Sequence, residues 1–334
     1  MNDVKHFARV LVSLWLIIGL SSCWPSPRSY TAPSASSVLV VSRCVLTRAT
    51  NERRCGLWLS SLKETQSAAT LLLDRVLLET DKFVGAPRLS PDRTKILFEM
   101  QAEGGDEDNR DIFVIGVDGS GFQNITHDPG DDAQGDWSPD GKRIVFTSDR
   151  DGRARLYVAD VRSGRIEKLF DKEECTGHFP AWLPDGHRVA FVSTWADTNG
   201  DGQVDRNDIP EIYTTPIQTC DPERLTFNTY SEIEPQWAPD RRHLAFLEMS
   251  REHLKMGFCR IHILDTQSGD EWQLYQRPVD YWTIHHLSWD PSGQRLVFSM
   301  GRTVYESQLF LARIEDGETM PVSAPVGGYT GVDW

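Results

Sequence analysis

A chain of 334 residues with 49 Asp and Glu against 35 Lys and Arg carries a formal charge of −14, which excludes nucleic acid as its natural partner. With 39% hydrophobic and 25% charged residues it has the apolar surface for one large core or two modest ones, so a disordered chain is excluded too. Its 11 Trp, 25 Gly and 18 Pro point to many short strands cut by tight turns rather than to long helices.

At the N-terminus Lys5 and Arg9 precede an apolar run, Val10 to Leu20, and Leu20-Ser21-Ser22-Cys23 follows directly. That order reads as an export signal, because eleven apolar residues fall short of the roughly 20 that span hydrocarbon. The tetrapeptide resembles the bacterial lipobox, whose cysteine is diacylated and becomes the new N-terminus. The resemblance implies a signal over 1–22, a lipid on Cys23 and attachment to a membrane. Trp24 stands where lipoproteins of the inner membrane carry Asp, which implies the periplasmic face of the outer membrane if the cell has one. The alternative is an ordinary cleaved signal in which Cys23 is incidental. Residues 23–37 are rich in Pro and Ser and lack apolar periodicity, so they read as a tether. The folded domain is expected over 38–334.

A tetrapeptide then recurs as Leu89-Ser90-Pro91-Asp92, Trp137-Ser138-Pro139-Asp140, Trp182-Leu183-Pro184-Asp185, Trp237-Ala238-Pro239-Asp240 and Trp289-Asp290-Pro291-Ser292, at intervals of 48, 45, 55 and 52 residues. Such a period is the mark of a repeat architecture. Alternating apolar runs follow at 95–100, 143–148, 188–193, 243–248 and 295–300 and are expected to be strands. Pro sets φ for a type I turn, and Gly141, Gly186 and Gly293 then supply a positive φ. Arg93 and Arg241 stand where that glycine is expected, so their turns should be strained or differently shaped. Third strands are expected at 112–117, 156–161, 212–217, 261–266 and 309–314, and short fourth strands at 122–126, 166–170, 223–226, 271–275 and 319–323. Four antiparallel strands per repeat make a propeller blade. The chain ends supply a sixth blade: 38–43, 56–62 and 70–73 lack a first strand, and 332–334, with Trp334 in phase 45 residues after Trp289, would provide it and remove two exposed edges.

The Trp-Ser-Pro-Asp-Gly turn, the apolar strand after it and the aromatic-bearing third strand together resemble the TolB-like propeller repeat, over about 38–334 and most closely over 137–164. The resemblance implies an all-β, six-bladed propeller of four-stranded antiparallel blades, its C-terminal strand closing the N-terminal blade. Proteins of prolyl-oligopeptidase type set related propellers beside a hydrolase domain; no Gly-x-Ser-x-Gly occurs here.

The sharpest chemical motif lies at 197–208. Asp197, Asn199, Asp201, Asp205 and Asp208 occupy loop positions 1, 3, 5, 9 and 12, Gly202 stands at 6, and Gln203 at 7 offers its backbone carbonyl. A hard cation needs six or seven oxygens, which this EF-hand spacing supplies. Asp208 replaces the usual Glu, and strands rather than helices flank the loop. The expectation is a structural Ca2+ in blade 4, held with Kd on the order of 10⁻⁴ to 10⁻³ M. The topology also brings His178, Glu232, Glu234, His285 and His286 near the channel mouth. Lyases acting on acidic sugars with comparable propellers hold a divalent metal on such a ring, an argument from fold alone.

Cys44 ends one strand and Cys55 begins its antiparallel partner, so a hairpin-spanning disulfide is expected, with two buried thiols as the alternative. Cys175 and Cys220 are expected on opposite faces, beyond the roughly 7 Å a bridge allows, and Cys259 has no evident partner. The loops of blades 2 to 4 and the entry to blade 5 concentrate acidic residues, Asp106, Glu107 and Asp108 among them. These features converge on an envelope-associated, non-catalytic scaffold that binds a protein or ligand, a basic one by charge, and on no nucleic acid. A lyase or hydrolase with a metal at the channel mouth is the rival. The sequence names neither the partner nor the oligomeric state.

Overall fold

The computed structural model describes residues 37–47, 52–65, 68–103, 109–170, 176–204, 208–217, 219–249, 259–276, 283–303, 305–323 and 328–334. The signal, Cys23 and the tether up to residue 36 lie outside them, as do Asp106, Glu107, Asp108, Cys175 and Asp205.

Four sheets of four antiparallel strands follow one another along the chain. The first holds β4 (Val84–Leu89), β5 (Lys95–Gln101), β6 (Arg110–Gly116) and β7 (Gln123–Asn124). The second holds β8 (Asp132–Trp137), β9 (Arg143–Ser148), β10 (Arg155–Asp160) and β11 (Ile166–Lys168). The third holds β12 (His178–Trp182), β13 (Arg188–Ser193), β14 (Glu211–Pro216) and β15 (Glu223–Arg224). The fourth holds β16 (Ser231–Trp237), β17 (His243–Met249), β18 (Cys259–Asp265) and β19 (Glu271–Gln276). The third strands begin a residue or two before the sequence expectation, and β7, β11 and β15 are shorter than expected.

The remaining strands depart from six separate blades. β20 (Thr283–Trp289), β21 (Arg295–Gly301), β22 (Ser307–Arg313) and β23 (Thr319–Ser323) continue into β3 (Ala69–Thr80), β2 (Glu52–Glu64), β1 (Ser37–Thr47) and β24 (Gly328–Asp333) as one eight-stranded sheet. The join is a parallel pairing of Val322 with Ala69 and of Ser323 with Thr70. It is made at the start of β3, which lies at the outer edge of β23; at its other end β3 runs on to Thr80, for 12 residues in all where the expectation gave it four. The C-terminal strand β24 pairs antiparallel with β1, with Val41 opposite Val332.

Side-chain alternation builds the core. One phenylalanine of each second strand, Phe98, Phe146, Phe191, Phe246 and Phe298, is fully buried. Each lies opposite a ring on the third strand: Phe113, Tyr157, Tyr213, His262 and Phe310 respectively, with centroids 5.5–6.2 Å apart. Cross-strand aromatic pairs of this kind add to the stability that burial gives. Among the described residues five buried apolar clusters lie between consecutive sheets and a sixth lies between the two halves of the eight-stranded sheet. The sixth joins β21–β23 to β24 and β1–β3, and another packs β1 and β2 against β4, β5 and β6, so the packing closes from the last sheet to the first.

The turns show their mechanism. In the second sheet Ser138 Oγ donates to Asp140 at 2.6 Å, and Asp140 accepts the Lys142 N–H at 3.1 Å. Gly141 has φ 67° there, and Arg93 and Arg241 take the same conformation at 58° and 63°. The two arginine turns therefore keep the common shape and carry the left-handed strain that a side chain imposes. Cys44 and Cys55 are disulfide-bonded across the β1–β2 pair, with Cα atoms 4.0 Å apart. Cys220 is disulfide-bonded as well.

Candidate functional site

The first strand of every repeat lies innermost. β4, β8, β12, β16 and β20 pack against their neighbours in sequence, and β24 packs against both β20 and β4, closing the cycle. Each inner strand of the four separate sheets breaks its register with a bulge two or three residues before the turn tryptophan or its Leu89 equivalent. At that point Ala86, Gln134, Phe179 and Glu234 adopt φ of 46°, 59°, 50° and 53°. Bulges redirect a side chain, and non-glycine residues persist in this region only where the surroundings hold them there. The redirected side chains, with His286 of β20, line a cavity of about 40 Å³ on the ring's axis, together with Arg88 and Glu99.

Hydrogen bonds run round this ring from one sheet to the next. Gln134 N–H donates to Glu99 Oε1 at 2.6 Å, and Phe179 N–H donates to Gln134 Oε1 at 2.9 Å. Asp136 accepts the Trp182 N–H at 2.6 Å. Asp333 of β24 accepts the Leu89 N–H at 2.7 Å and the Ser288 hydroxyl at 2.6 Å. Indole N–H groups of Trp137 and Trp289 donate to the carbonyls of Arg88 and Gln236, each at 3.0 Å. The tryptophans that marked the turns in the sequence thus also tie neighbouring inner strands together, joined by Asp136 and Asp333, which lie one residue before Trp137 and Trp334.

Burial dominates the electrostatics. It pushes the Glu234 carboxyl up to about 8, against the attraction of Arg88 and with the repulsion of Glu99. The same cause lifts Asp136 to about 6 and raises Asp333. Glu234 Oε2 is inaccessible to solvent and accepts no hydrogen bond among the described residues. Its Oε1 lies 3.6 Å from His286 Nδ1, with both side chains mostly buried. Glu99 is fully engaged, receiving Arg110 at 2.8 Å as well as Gln134.

The expected ring is only partly assembled. Glu234 and His286 meet in the cavity, whereas His178 begins β12 and is exposed. His285 lies on β20, its side chain outside the described residues. Glu232 does not face the channel. It is fully buried beside the third sheet, bonding the Thr226 hydroxyl, the Ile212 N–H at 3.0 Å and Asn228. Among the described residues no group of three or more His, Cys, Asp or Glu is placed to hold a metal ion.

In the 197–208 loop the carboxylates point inward onto main-chain N–H groups. Asp197 accepts from Gly200 at 2.7 Å and Gly202 at 2.9 Å, and buried Asp208 accepts from Thr198 at 2.7 Å. Asn199 Oδ1 accepts the Asp201 N–H, and Asp201 accepts that of Gln203, both at 2.8 Å. Gly200 and Gly202 take φ of 76° and 82°. Asp197 and Asp208, at the two ends of the motif, thus both accept from main-chain N–H groups of residues 198–202, and Asp205 lies outside the described residues.

Sequence reasoning missed Arg88, Gln134, Asp136, Phe179 and Asp333. The signal was present: counting back three and one residues from each turn tryptophan, or from Leu89, gives the two inner rings, and only the repeat alignment makes that column visible.

Residues 72–199 match the family described as the TolB beta propeller domain. A protein of Agrobacterium fabrum, Atu1656, is 35% identical over 120 residues, which are 32% of this chain and 38% of that protein. TolB of the Tol-Pal system from Francisella tularensis is 31% identical over 123 residues, 36% of this chain and 28% of that protein. The peptidase YuxL of Bacillus subtilis is 23% identical over 65% of this chain and 29% of its own length. The chain thus spans well under half the length of these relatives. In three dimensions, TolB from Acinetobacter baumannii superposes with a TM-score of 0.68 at 19% identity, over 90% of this chain and 67% of that one. The fold is an all-β propeller of TolB-like type, and over 72–199 the chain carries the sequence pattern of the TolB beta propeller domain.

Proposed function

We propose that this protein is a non-catalytic scaffold of the cell envelope that binds a protein or ligand, a basic one, at the mouth of its channel. The observation that carries the reading is the inner ring: bulged strands direct carboxyl and apolar side chains onto one axial cavity. Similarity to TolB of the Tol-Pal system supports an envelope setting. On this reading the eight-stranded sheet acts as two blades fused at their outer edges, giving a six-bladed ring with one packing cluster per interface. Acidic loops, Asp106, Glu107 and Asp108 among them, steer the partner toward the mouth. Cys23 carries the lipid that holds the ring at the membrane. The loop bearing Asp197, Asn199, Asp201, Gln203, Asp205 and Asp208 holds Ca2+, which supplies a structural clip between β13 and β14; chelation then lowers Tm, and Asp201→Ala abolishes that sensitivity.

The test is association kinetics with the partner captured from envelope extracts. Replacing Asp106, Glu107 and Asp108 by Asn, Gln and Asn should slow association at low salt and leave Tm unchanged. An unchanged on-rate would refute the steering, and a metal-dependent turnover lost in Glu234→Gln would refute the scaffold itself.

A further inference from the structure

The channel cavity has a defined chemistry. Glu234 presents a buried carboxylate oxygen with no hydrogen-bond partner among the described residues, held by a strained backbone at φ 53°. An unsatisfied buried acceptor is destabilising, and a bound donor removes that cost. Ala86, Phe179, Pro180 and Pro235 form apolar walls beside it. Acidic groups outnumber basic ones around the cavity: Arg88 interacts electrostatically with Glu234, Asp136 and Asp333, and Glu99 adds a further carboxyl to the wall. A cation is therefore the favoured guest, because it stabilises the charged form of Glu234 that burial alone disfavours, and its binding releases the proton that Glu234 otherwise holds up to about pH 8.

Size and donor set decide which cation. A hard metal ion wants six to eight oxygens in the case of Ca2+, and no group of three or more candidate ligands is assembled among the described residues. A cavity of about 40 Å³ has room for a small cationic head group such as an ammonium. Apolar walls suit an aliphatic stem, and the ring of Phe179 adds a face that attracts cations.

We propose that this cavity takes a primary ammonium on an aliphatic stem, borne by a lysine of the basic partner, with Glu234 Oε2 as its acceptor. The inference rests on the scaffold reading for the bearer of the lysine, but the pocket chemistry can be tested without any partner. The full-length protein in detergent is titrated by calorimetry with butylammonium, with its neutral counterpart 1-butanol, and with CaCl2 as a control. Saturable binding of butylammonium is expected, at least tenfold weaker for 1-butanol and at least tenfold weaker in Glu234→Gln. Equal affinity for the alcohol, affinity unchanged in Glu234→Gln, or no saturable binding each overturn the proposal. The comparison of amine with alcohol uses the unaltered chain, so it decides even where the variant fails to fold. Ca2+ that displaces butylammonium and depends on Glu234 would make the site a metal site and overturn the proposal as well. Partner capture that persists without butylammonium binding sinks this inference alone. Butylammonium binding without any envelope partner sinks the scaffold reading alone.

Discussion

Arg93 and Arg241 occupy equivalent turns with nearly equal φ, 58° and 63°, yet the same substitution should move stability in opposite directions. A left-handed conformation costs a residue with a side chain about 1–2 kcal/mol, and glycine removes that cost while losing roughly 0.5–1 kcal/mol to unfolded-state entropy. The Arg241 side chain makes no hydrogen bond among the described residues, so Arg241→Gly should gain about 0.5–1 kcal/mol. Arg93 differs because its guanidinium donates to the main-chain oxygens of Trp334 at 2.9 Å and Val38 at 3.0 Å. Those bonds tie β24 and β1 to the first sheet. Bonds from a charged donor are worth about 1.5–3 kcal/mol when buried, and solvent exposure at this turn discounts them to roughly 1 kcal/mol each. Arg93→Gly should therefore lose about 1 kcal/mol net. Urea unfolding at fixed temperature reads both changes, and Tm should move by a few degrees in opposite directions, about 2–4 °C per kcal/mol. Two shifts of the same sign would refute either the strain or the role of Arg93 as a clasp.

Raised carboxyls make stability fall with pH. The folded chain binds protons that the unfolded chain releases, between 4.5 and about 8 for Glu234 and between 3.8 and about 6 for Asp136, so stability is highest below these windows and declines through them. Glu234→Gln should flatten the decline of the urea midpoint up to pH 8, and an unchanged slope would contradict the burial. Replacing Cys44 and Cys55 by Ser opens a loop with a separation of 11 residues and should cost about 3 kcal/mol, read as a lower urea midpoint; an equal midpoint would show that β1 and β2 hold without it. Deleting 329–334 removes Tyr329, Val332 and Trp334, all at most 5% exposed, worth roughly 1.5–3 kcal/mol each. That loss rivals a whole domain's stability of about 5–15 kcal/mol, so the truncated chain should elute as aggregate in gel filtration, and a monomer that melts like the parent would refute closure.

Much of the fold was legible because each repeat carries both of its own signals, the Pro-Asp turn and the alternating strand after it. The blade strands from β4 onward and the return of the C-terminus to β1 could be read from those signals alone. The merger of β23 with β3 could not, since it rests on two parallel pairings, Val322 with Ala69 and Ser323 with Thr70, between strands remote in sequence; nor could the extension of β3 to Thr80, where Asp74-Arg75 and Glu79 interrupt the pattern of a strand. The site was harder to read. Glu234 and His286 were found from their place where the chain enters an inner strand, but Glu232, two residues earlier, was placed on the same surface. A bulge between Ile233 and Gln236 shifts the register there, and a period of two cannot reveal which side chain it turns inward. Arg88, Asp136 and Asp333 carry no motif of their own, and their meaning comes from the strands of other repeats beside them.

The central claim is that a partner docks at the channel mouth, where the inner strands begin, and not at the Pro-Asp turns where they end. β12 separates the two, with exposed His178 at its start and Asp185 in the turn that follows it. A photo-cross-linking residue placed at His178 in intact cells should give a discrete adduct with an envelope protein, whereas the same group at Asp185 should give none. An adduct from Asp185 alone would contradict the account.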